Sequence, residues 1–518
     1  MSLLGLDIGT TGVKAVAFHD DGGVITSAYR EYDLRSPRPG FLELDPHEVL
    51  RAVQHVTGSV ASRTGGDPIR SAAACALGEA AVPVDGSGRP VGNAIVGFDA
   101  RGEEEMAAFR QKITNDEVFA ITGHGINSYH TLFKILWRRA HDRSVFDAAR
   151  KFLCFGDFAT AAMGVPARMD YSLAARTLAF DIHALDWSPR ILEAADLSRD
   201  LFPEPIAPGE ILGEVTEGGA RDFGLPRGTV VAGGLHDQPA GILGAAIQPG
   251  ESMLAIGTVI CLGVRLKSRP AGRVMADNNL CYYPTLGERQ YIAIAWNFTG
   301  GSLLKWYRDN LAGPEAAEAE RRGMDVYDVI TEGLPDAPSG LLVLPHFTTS
   351  GTPSLDPRAL GSFHGLRLKT TRKEIVKGIL EGILHEIRLN SELLCAAGVD
   401  IGLYKAIGGA AKSQVWMQIA ADLLGRPVAV TTVTEGAALG AALLGAKAAG
   451  IVKSDAEIEE ILRRSARVER VIEPRAEQVK RYDEWFAVYR DVYATTRDLS
   501  HRIFQLGAGA PAKPNQPG

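Results

Sequence analysis

Two carboxylates stand in settings that invite chemistry, Asp7 and Asp237. Asp7 ends an apolar run and is followed by Ile8-Gly9-Thr10-Thr11-Gly12-Val13-Lys14. Apolar β-formers on both sides of a glycine and threonine turn read as strand, hairpin and second strand. Glycine lets the backbone approach an anion with no Cβ in the way, and the turn offers N–H groups and two hydroxyls to a phosphate. Asp7 is then placed to hold Mg²⁺ or its water shell, because hard cations take carboxylate oxygen. The stretch is not a Walker loop: GxxxxGK[ST] is missing and a strand, not a helix, follows the turn. Alone, the same residues also suit an ordinary hairpin.

Asp237 follows Val230-Val231-Ala232-Gly233-Gly234-Leu235-His236, an apolar strand with a Gly-Gly turn, and precedes a helix of small residues. An aspartate at such a junction serves as an N-cap or as a base. His236 reads as a supporting or structural residue. Shortly afterwards Ile256-Gly257-Thr258 repeats the first hairpin between apolar runs, which fits two similarly built lobes that each give one loop to a shared nucleotide. With phosphate held there, a base that orients and deprotonates an attacking hydroxyl is still required, and Asp237 is the choice. A third glycine turn, Gly408-Gly409-Ala410 with Gln414 beyond it, joins a strand to a helix and suits a nucleotide lying against bare backbone.

These loops need a scaffold that brings them together. Strands alternate with helices along the chain, the signature of an α/β protein, whose ligands gather at strand ends. Glu79, Asp99 and Arg101 follow successive predicted strands and could serve a polyhydroxylated substrate, carboxylates accepting from hydroxyls while arginine donates. Each is equally readable as a surface charge at a turn. At 518 residues the chain exceeds one ordinary core, so two domains are expected, 1–248 and 249–505, with a disordered tail over 506–518. A net charge of -7 argues against a nucleic-acid binder. No run is apolar for long enough to span a bilayer, the start lacks the pattern of a signal peptide, and five scattered cysteines read as reduced thiols. A cytoplasmic location is expected.

Together these motifs resemble the FGGY carbohydrate kinases, over nearly the whole chain. The anchors are Asp7 to Thr11, Lys134-Ile135-Leu136-Trp137, Gly234 to Asp237, Ile256 to Thr258, and Gly408 through Gly425 and Glu435. The resemblance implies an α/β architecture of the actin-like, ribonuclease H-like kind, two lobes of mixed sheets flanked by helices, with ATP and Mg²⁺ in the cleft between them. It implies Asp7 at the metal, Gly9, Thr10, Thr11, Lys14, Gly257 and Thr258 at the phosphates, and Gly300, Gly301, Gly408, Gly409, Ala410 and Gln414 around the nucleotide. Asp237 becomes the base, with Glu79, Asp99 and Arg101 at the sugar, polyol or sugar acid. A homodimer is expected on the same ground. Val259 stands where many members carry serine, and Gly78-Glu79 matches neither the Arg-Glu of glycerol kinases nor the Met-His of xylulokinases, so the acceptor stays open. Two alternatives remain, a nucleotide-driven binding protein of the actin and Hsp70 kind and an inactive sugar-sensing regulator.

Overall fold

The computed structural model describes residues 1–508 apart from 39, 100, 287–289 and 434. Two seven-stranded sheets dominate it. The first contains β1 (Ser2–Ile8), β2 (Gly12–Phe18), β3 (Val24–Glu31), β4 (Ile69–Ala76), β5 (Ile211–Glu214), β6 (Val230–Ala232) and β7 (Leu235–His236). Its order is β5-β6-β4-β1-β2-β3, with β7 also paired to β4. The second contains β8 (Gly250–Ile256), β9 (Ile260–Leu266), β10 (Cys281–Pro284), β11 (Tyr291–Asn297), β12 (Ile401–Ile407), β13 (Val428–Thr431) and β14 (Val468–Ile472), in the order β10-β11-β9-β8-β12-β13-β14.

The two sheets share one plan. In the first, β1, β2 and β3 form an antiparallel meander while β4 and β6 run parallel on the other side of β1. In the second, β8, β9 and β11 form the meander while β12 and β13 run parallel beyond β8. The central strands are apolar along nearly their whole length because both faces are covered, as parallel sheets require.

The helices that matter to the site are α1 (Thr131–His141), α2 (Tyr171–Arg176), α3 (Asp237–Gly244), α4 (Gly301–Leu311), α5 (Arg372–Ala396), α6 (Gln414–Leu424), α7 (Gly436–Ala448) and α8 (Ala476–Ala508). The small residues of α3 and α7 allow the halves to approach closely. A Cβ at Gly244 would fall 1.9 Å from the Gly436 carbonyl oxygen, so the two helices cross backbone to backbone. A Cβ at Gly5 would meet the Ala438 carbonyl at the same distance, which seats α7 directly on the first sheet. Here glycine is dictated by space. Any side chain would push the two halves apart.

Helix α8 runs through Ala508 and so takes in the first three positions of the tail expected from 506, while 509–518 lie outside the described residues. Among the described residues no helix is long and apolar enough to cross a membrane. Four of the five cysteines are buried, the fifth is half-buried, and all are free thiols.

Candidate functional site

Both glycine and threonine hairpins form as the sequence predicts, and each is braced differently. In the first, Ile8 pairs with Val13 and the Gly9 N–H donates to the Gly12 carbonyl at 2.9 Å. The phenol of Tyr32 donates to the Gly9 carbonyl at 2.5 Å and lies 3.1 Å from that of Gly12, which locks the turn from below. Thr10 and Thr11 are left at the tip. In the second, Ile256 pairs with Ile260 and the Gly257 N–H donates to the Val259 carbonyl at 3.0 Å. Gly300 and Gly301 donate their N–H groups to Thr258 and Gly257 at 2.9 and 2.7 Å. These two glycines therefore brace the hairpin, and these N–H groups are already engaged within the protein.

Gly408 sits against the same hairpin. Its φ of 88° is one that side-chain-bearing residues rarely adopt, and a Cβ there would lie 3.1 Å from the Ile256 carbonyl oxygen. Gly408 and Gly409 are exposed beyond β12, followed by Ala410 and by Gln414 at the exposed start of α6. The structure thus groups Gly257, Gly300, Gly301 and Gly408 around one hairpin.

The carboxylates converge from different strands. Asp7 faces Lys14 across the first hairpin, and Lys14 Nζ pairs at 2.6 Å with Oε1 of Glu435, just before α7. The charge of Lys14 is engaged across the two halves of the chain. Burial, then the like charge of Asp237, push the Asp7 carboxyl up to about 6 against the opposing hydrogen bond of the Cys75 thiol, with Glu435 adding a smaller rise and Lys14 a smaller opposing effect. Asp237 is thus near enough for its charge to act on Asp7. Asp237 opens α3 with its side chain 28% exposed, and His236 Nε2 stands 3.0 Å from Oδ1. That approach lacks hydrogen-bond direction, and Oδ1 has no partner among the described residues. The histidine itself is fixed: its N–H donates to Ser172 Oγ at 2.7 Å, Ser172 donates to Asp170 at 2.5 Å, and Nδ1 lies 2.9 Å from the Tyr283 hydroxyl.

No cluster of three or more protein ligands for a metal occurs among the described residues. Magnesium still fits, because it characteristically keeps waters and takes one or two carboxylates plus phosphate oxygens, and the crowded charge at Asp7 favours a cation there.

A cavity of about 220 Å³ draws these pieces together, lined by Thr10 of the first hairpin, Val259 of the second, and Asp237 with Gln238 from α3. Its other walls are Gly78, Glu79, Gly97, Phe98, Tyr129, Arg176, Trp296 and Phe298, among others. Glu79 adopts a left-handed φ of 62° and accepts from Arg176 Nε at 2.6 Å, while its carbonyl accepts from Thr131 Oγ1 at 2.7 Å. A Cβ at Gly78 would lie 2.9 Å from His236 Nε2, so glycine there leaves the imidazole beside Asp237 undisturbed.

Asp99 and Arg101 do not join them. Arg101 donates to Asp99 Oδ1 and Oδ2 at 2.9 and 2.7 Å and to Glu43 Oε1 at 2.6 Å. Its guanidinium lies over the Phe41 ring at 4.1 Å and the Trp137 ring at 4.8 Å. Both side chains are almost wholly buried in a self-sufficient pair, which Lys134 completes from α1 by donating to both backbone carbonyls. Neither lines the cavity, and their polar groups are already satisfied by one another. Sequence reading missed Arg176, Tyr129, Gln238 and Trp296. Gln238 adjoins a predicted base and was within reach, whereas Arg176 lies on the short helix α2 with no motif to mark it.

Comparison with known proteins bears on the same residues. Models of the FGGY family of carbohydrate kinases match residues 2–244 with the N-terminal domain and 253–449 with the C-terminal domain. The chain belongs to this family. It is 32% identical over 499 residues to a glycerol kinase of Azotobacter vinelandii, covering 92% of this chain and 94% of that one. It is 28% identical to a gluconokinase of Bacillus subtilis, covering 87% and 88%. The solved xylulose kinase from Rhodospirillum rubrum superposes with a TM-score of 0.84 at 27% identity, covering 97% of this chain and all of that one. As an FGGY kinase the protein is an ATP-dependent carbohydrate kinase that transfers phosphate to a hydroxyl of a small sugar or polyol.

Proposed function

We propose that Asp237 is the general base of this kinase and that the 220 Å³ cavity is where the acceptor binds. The observation that carries the reading is that one cavity is walled by both hairpin tips, the Asp237 carboxylate and the Glu79–Arg176 pair. The acceptor hydroxyl approaches the part-exposed Asp237 carboxylate, which receives its proton, and the oxygen attacks the terminal phosphate held at Thr10, Thr11, Gly257 and Thr258 while ADP leaves. A base placed in this way contributes ~10²- to 10⁴-fold, and alignment of the reactants contributes more, roughly 7 to 11 kcal/mol. Mg²⁺, when bound beside Asp7, would draw charge from the phosphate oxygens. Gly408, Gly409, Ala410 and Gln414 form the adenosine side. Glu79 meets the acceptor, with Arg176 holding it in place.

The matched strand order of the two sheets supports a duplicated, actin-like origin for the halves, divided between 248 and 249. Free, mostly buried cysteines favour a reducing, cytoplasmic setting. A homodimer is the assembly we expect. An ADP-release assay across polyols, ketopentoses, ketohexoses and sugar acids tests the central reading. Release stimulated by one of them supports it, whereas ATP hydrolysis indifferent to the whole panel would favour the nucleotide-driven binding protein.

A further inference from the structure

One oxygen of the Asp237 carboxylate cannot reach a substrate. Oδ1 is buried and has no hydrogen-bond partner among the described residues, so a hydroxyl in the cavity can be met only by Oδ2. Buried acceptors are rarely left unmatched. His236 Nε2 stands 3.0 Å from Oδ1. That contact attracts or repels according to which ring nitrogen carries the proton.

Tyr283 decides the tautomer. Its hydroxyl lies 2.9 Å from His236 Nδ1 and has no other hydrogen-bond partner among the described residues. The ring is wholly buried on β10, and burial, against the charge of Arg176, pushes the phenol well above its ordinary range, so it keeps its proton. That proton is satisfied only where Nδ1 is bare and accepts it, which leaves the imidazole proton on Nε2, beside Oδ1. The opposite tautomer would strand the phenol proton and set two lone pairs 3.0 Å apart. The contact as it stands is off line for a hydrogen bond. A turn of the carboxylate about its Cβ–Cγ bond corrects it, and catalytic hydrogen bonds characteristically tighten in this way once substrate binds.

The partners come from different halves of the chain. Tyr283 belongs to the second sheet, whereas His236 ends β7 of the first and Asp237 follows it. Space is kept for the ring as well, since a Cβ at Gly78 would fall 2.9 Å from Nε2.

We propose that His236 and Tyr283 are positioning residues for the base: the Tyr283 phenol donates to Nδ1, Nε2–H donates to Asp237 Oδ1, and the relay aims Oδ2 at the acceptor hydroxyl. The inference rests on the reading of Asp237 as the base. The relay carries no proton of the reaction. It fixes the carboxylate of the first half through a phenol of the second.

The test measures ADP release by the full chain with glycerol, xylulose and gluconate, beside the tautomer of His236 itself. H236L is expected to lower kcat about tenfold or more with each acceptor that the wild type turns over, and Y283F about threefold or more, with KM for acceptor and for ATP within about twofold. H236Q, whose amide N–H reaches the place of Nε2–H, should recover most of the loss. The variant carrying both H236L and Y283F should fall no further than H236L alone, because both act through one relay. A raised KM at constant kcat would mark a direct substrate contact and overturn the proposal. Equal losses in H236Q and H236L would mark packing and overturn it too. D237N assayed alongside separates the two readings: near wild-type turnover by D237N overturns the base, whereas an inactive D237N with an unimpaired H236L overturns the relay alone. Nitrogen NMR of histidine-labelled protein reads the tautomer without any acceptor, the signal missing from H236Q being that of His236. A proton on Nε2 in the wild type and a mixture of tautomers in Y283F are expected, and a proton on Nδ1 in the wild type would overturn the proposal whatever the assays show.

Discussion

The two hairpins share a backbone and differ in charge. Aligned on Ile8-Gly9-Thr10 and Ile256-Gly257-Thr258, Asp7 corresponds to Ala255. The cross-strand partner of Asp7 is Lys14, and that of Ala255 is Cys261. One copy keeps a carboxylate and an amine at the root of its turn, and the other keeps two small uncharged side chains. The loops also differ by one residue, since Ile8 pairs with Val13 while Ile256 pairs with Ile260. On the proposed reading, like loops take unlike tasks: the first brings charge to the site, the second only hydroxyl and backbone groups.

The most severe break in this arrangement is Asp237→Asn, which keeps the shape of the α3 start and removes the proton acceptor. We expect a loss of at least about a hundredfold in kcat with ATP binding intact. Turnover near wild type would remove Asp237 from the base role and leave the charge of the first hairpin without a reacting partner.

Asp7→Asn comes next, because it makes the first hairpin resemble the second. Turnover should fall about tenfold or more, and extra Mg²⁺ should not restore it if the carboxylate is what positions the cation. The same substitution should have the opposite effect on stability in the absence of metal. The Asp7 carboxyl is raised from 3.8 to about 6 by burial and by Asp237, so the folded state holds the proton more tightly than the unfolded chain. The cost of its ionisation is therefore fully present above pH 6, shrinks as the pH falls, and is gone below the unfolded value of 3.8. At about 1.4 kcal/mol per pKa unit it amounts to roughly 3 kcal/mol at neutral pH. Urea denaturation in EDTA should find Asp7→Asn more stable than wild type at pH 8 and nearly equal to it at pH 4. Equal stability at pH 8 would mean that the carboxylate is better solvated than its burial implies.

Much of this organisation is legible in the sequence because backbone geometry leaves strong marks. Glycine and threonine between apolar β-formers announce both hairpins, and the small residues of α7 announce the close crossing with α3. Asp45 before Pro46 signals a helix start, and it does accept from the His47 N–H at 2.9 Å. Charged residues carry no such mark. Asp99, Arg101, Glu79 and Arg176 are all polar residues near element ends, and only the folded chain decides which pair closes on itself and which faces the cavity. Arg101 finds Asp99 two positions away, whereas Arg176 meets Glu79 from 97 residues away. A pairing over that distance is set by tertiary packing, with no local pattern to announce it. Gly300 and Gly301 were placed near the nucleotide only by the family resemblance, and their N–H groups brace the second hairpin, which no local pattern announced.

That bracing is the next test of the comparison. A Cβ at Gly300 would lie 2.9 Å from the Gly257 carbonyl oxygen and from the Val259 backbone, while one at Gly9 would meet nothing closer than 3.3 Å. Gly300→Ala should therefore displace the second hairpin tip, raise KM for ATP several-fold and cost about 1 to 3 kcal/mol of stability. An unchanged KM would show that the second hairpin tolerates movement and is less demanding than the first.

The smallest effect is expected at Tyr32, where the first hairpin is held by a side chain instead of a second backbone turn. Tyr32→Phe removes the phenol that donates to the Gly9 carbonyl and keeps the ring, which is 6% exposed against the core. A single hydrogen bond of this kind contributes about 1 kcal/mol, so in a chain of this size the thermal midpoint should fall by about 1 to 2 °C. The internal Gly9 to Gly12 bond at 2.9 Å remains, as does the ladder from Asp7 to Lys14, so KM for ATP should rise by no more than about threefold. A larger rise than that caused by Gly300→Ala would reverse the ranking. The first hairpin would then depend on its tyrosine for shape as well as on its aspartate for charge, and the difference between the two loops would be mechanical before it is electrostatic.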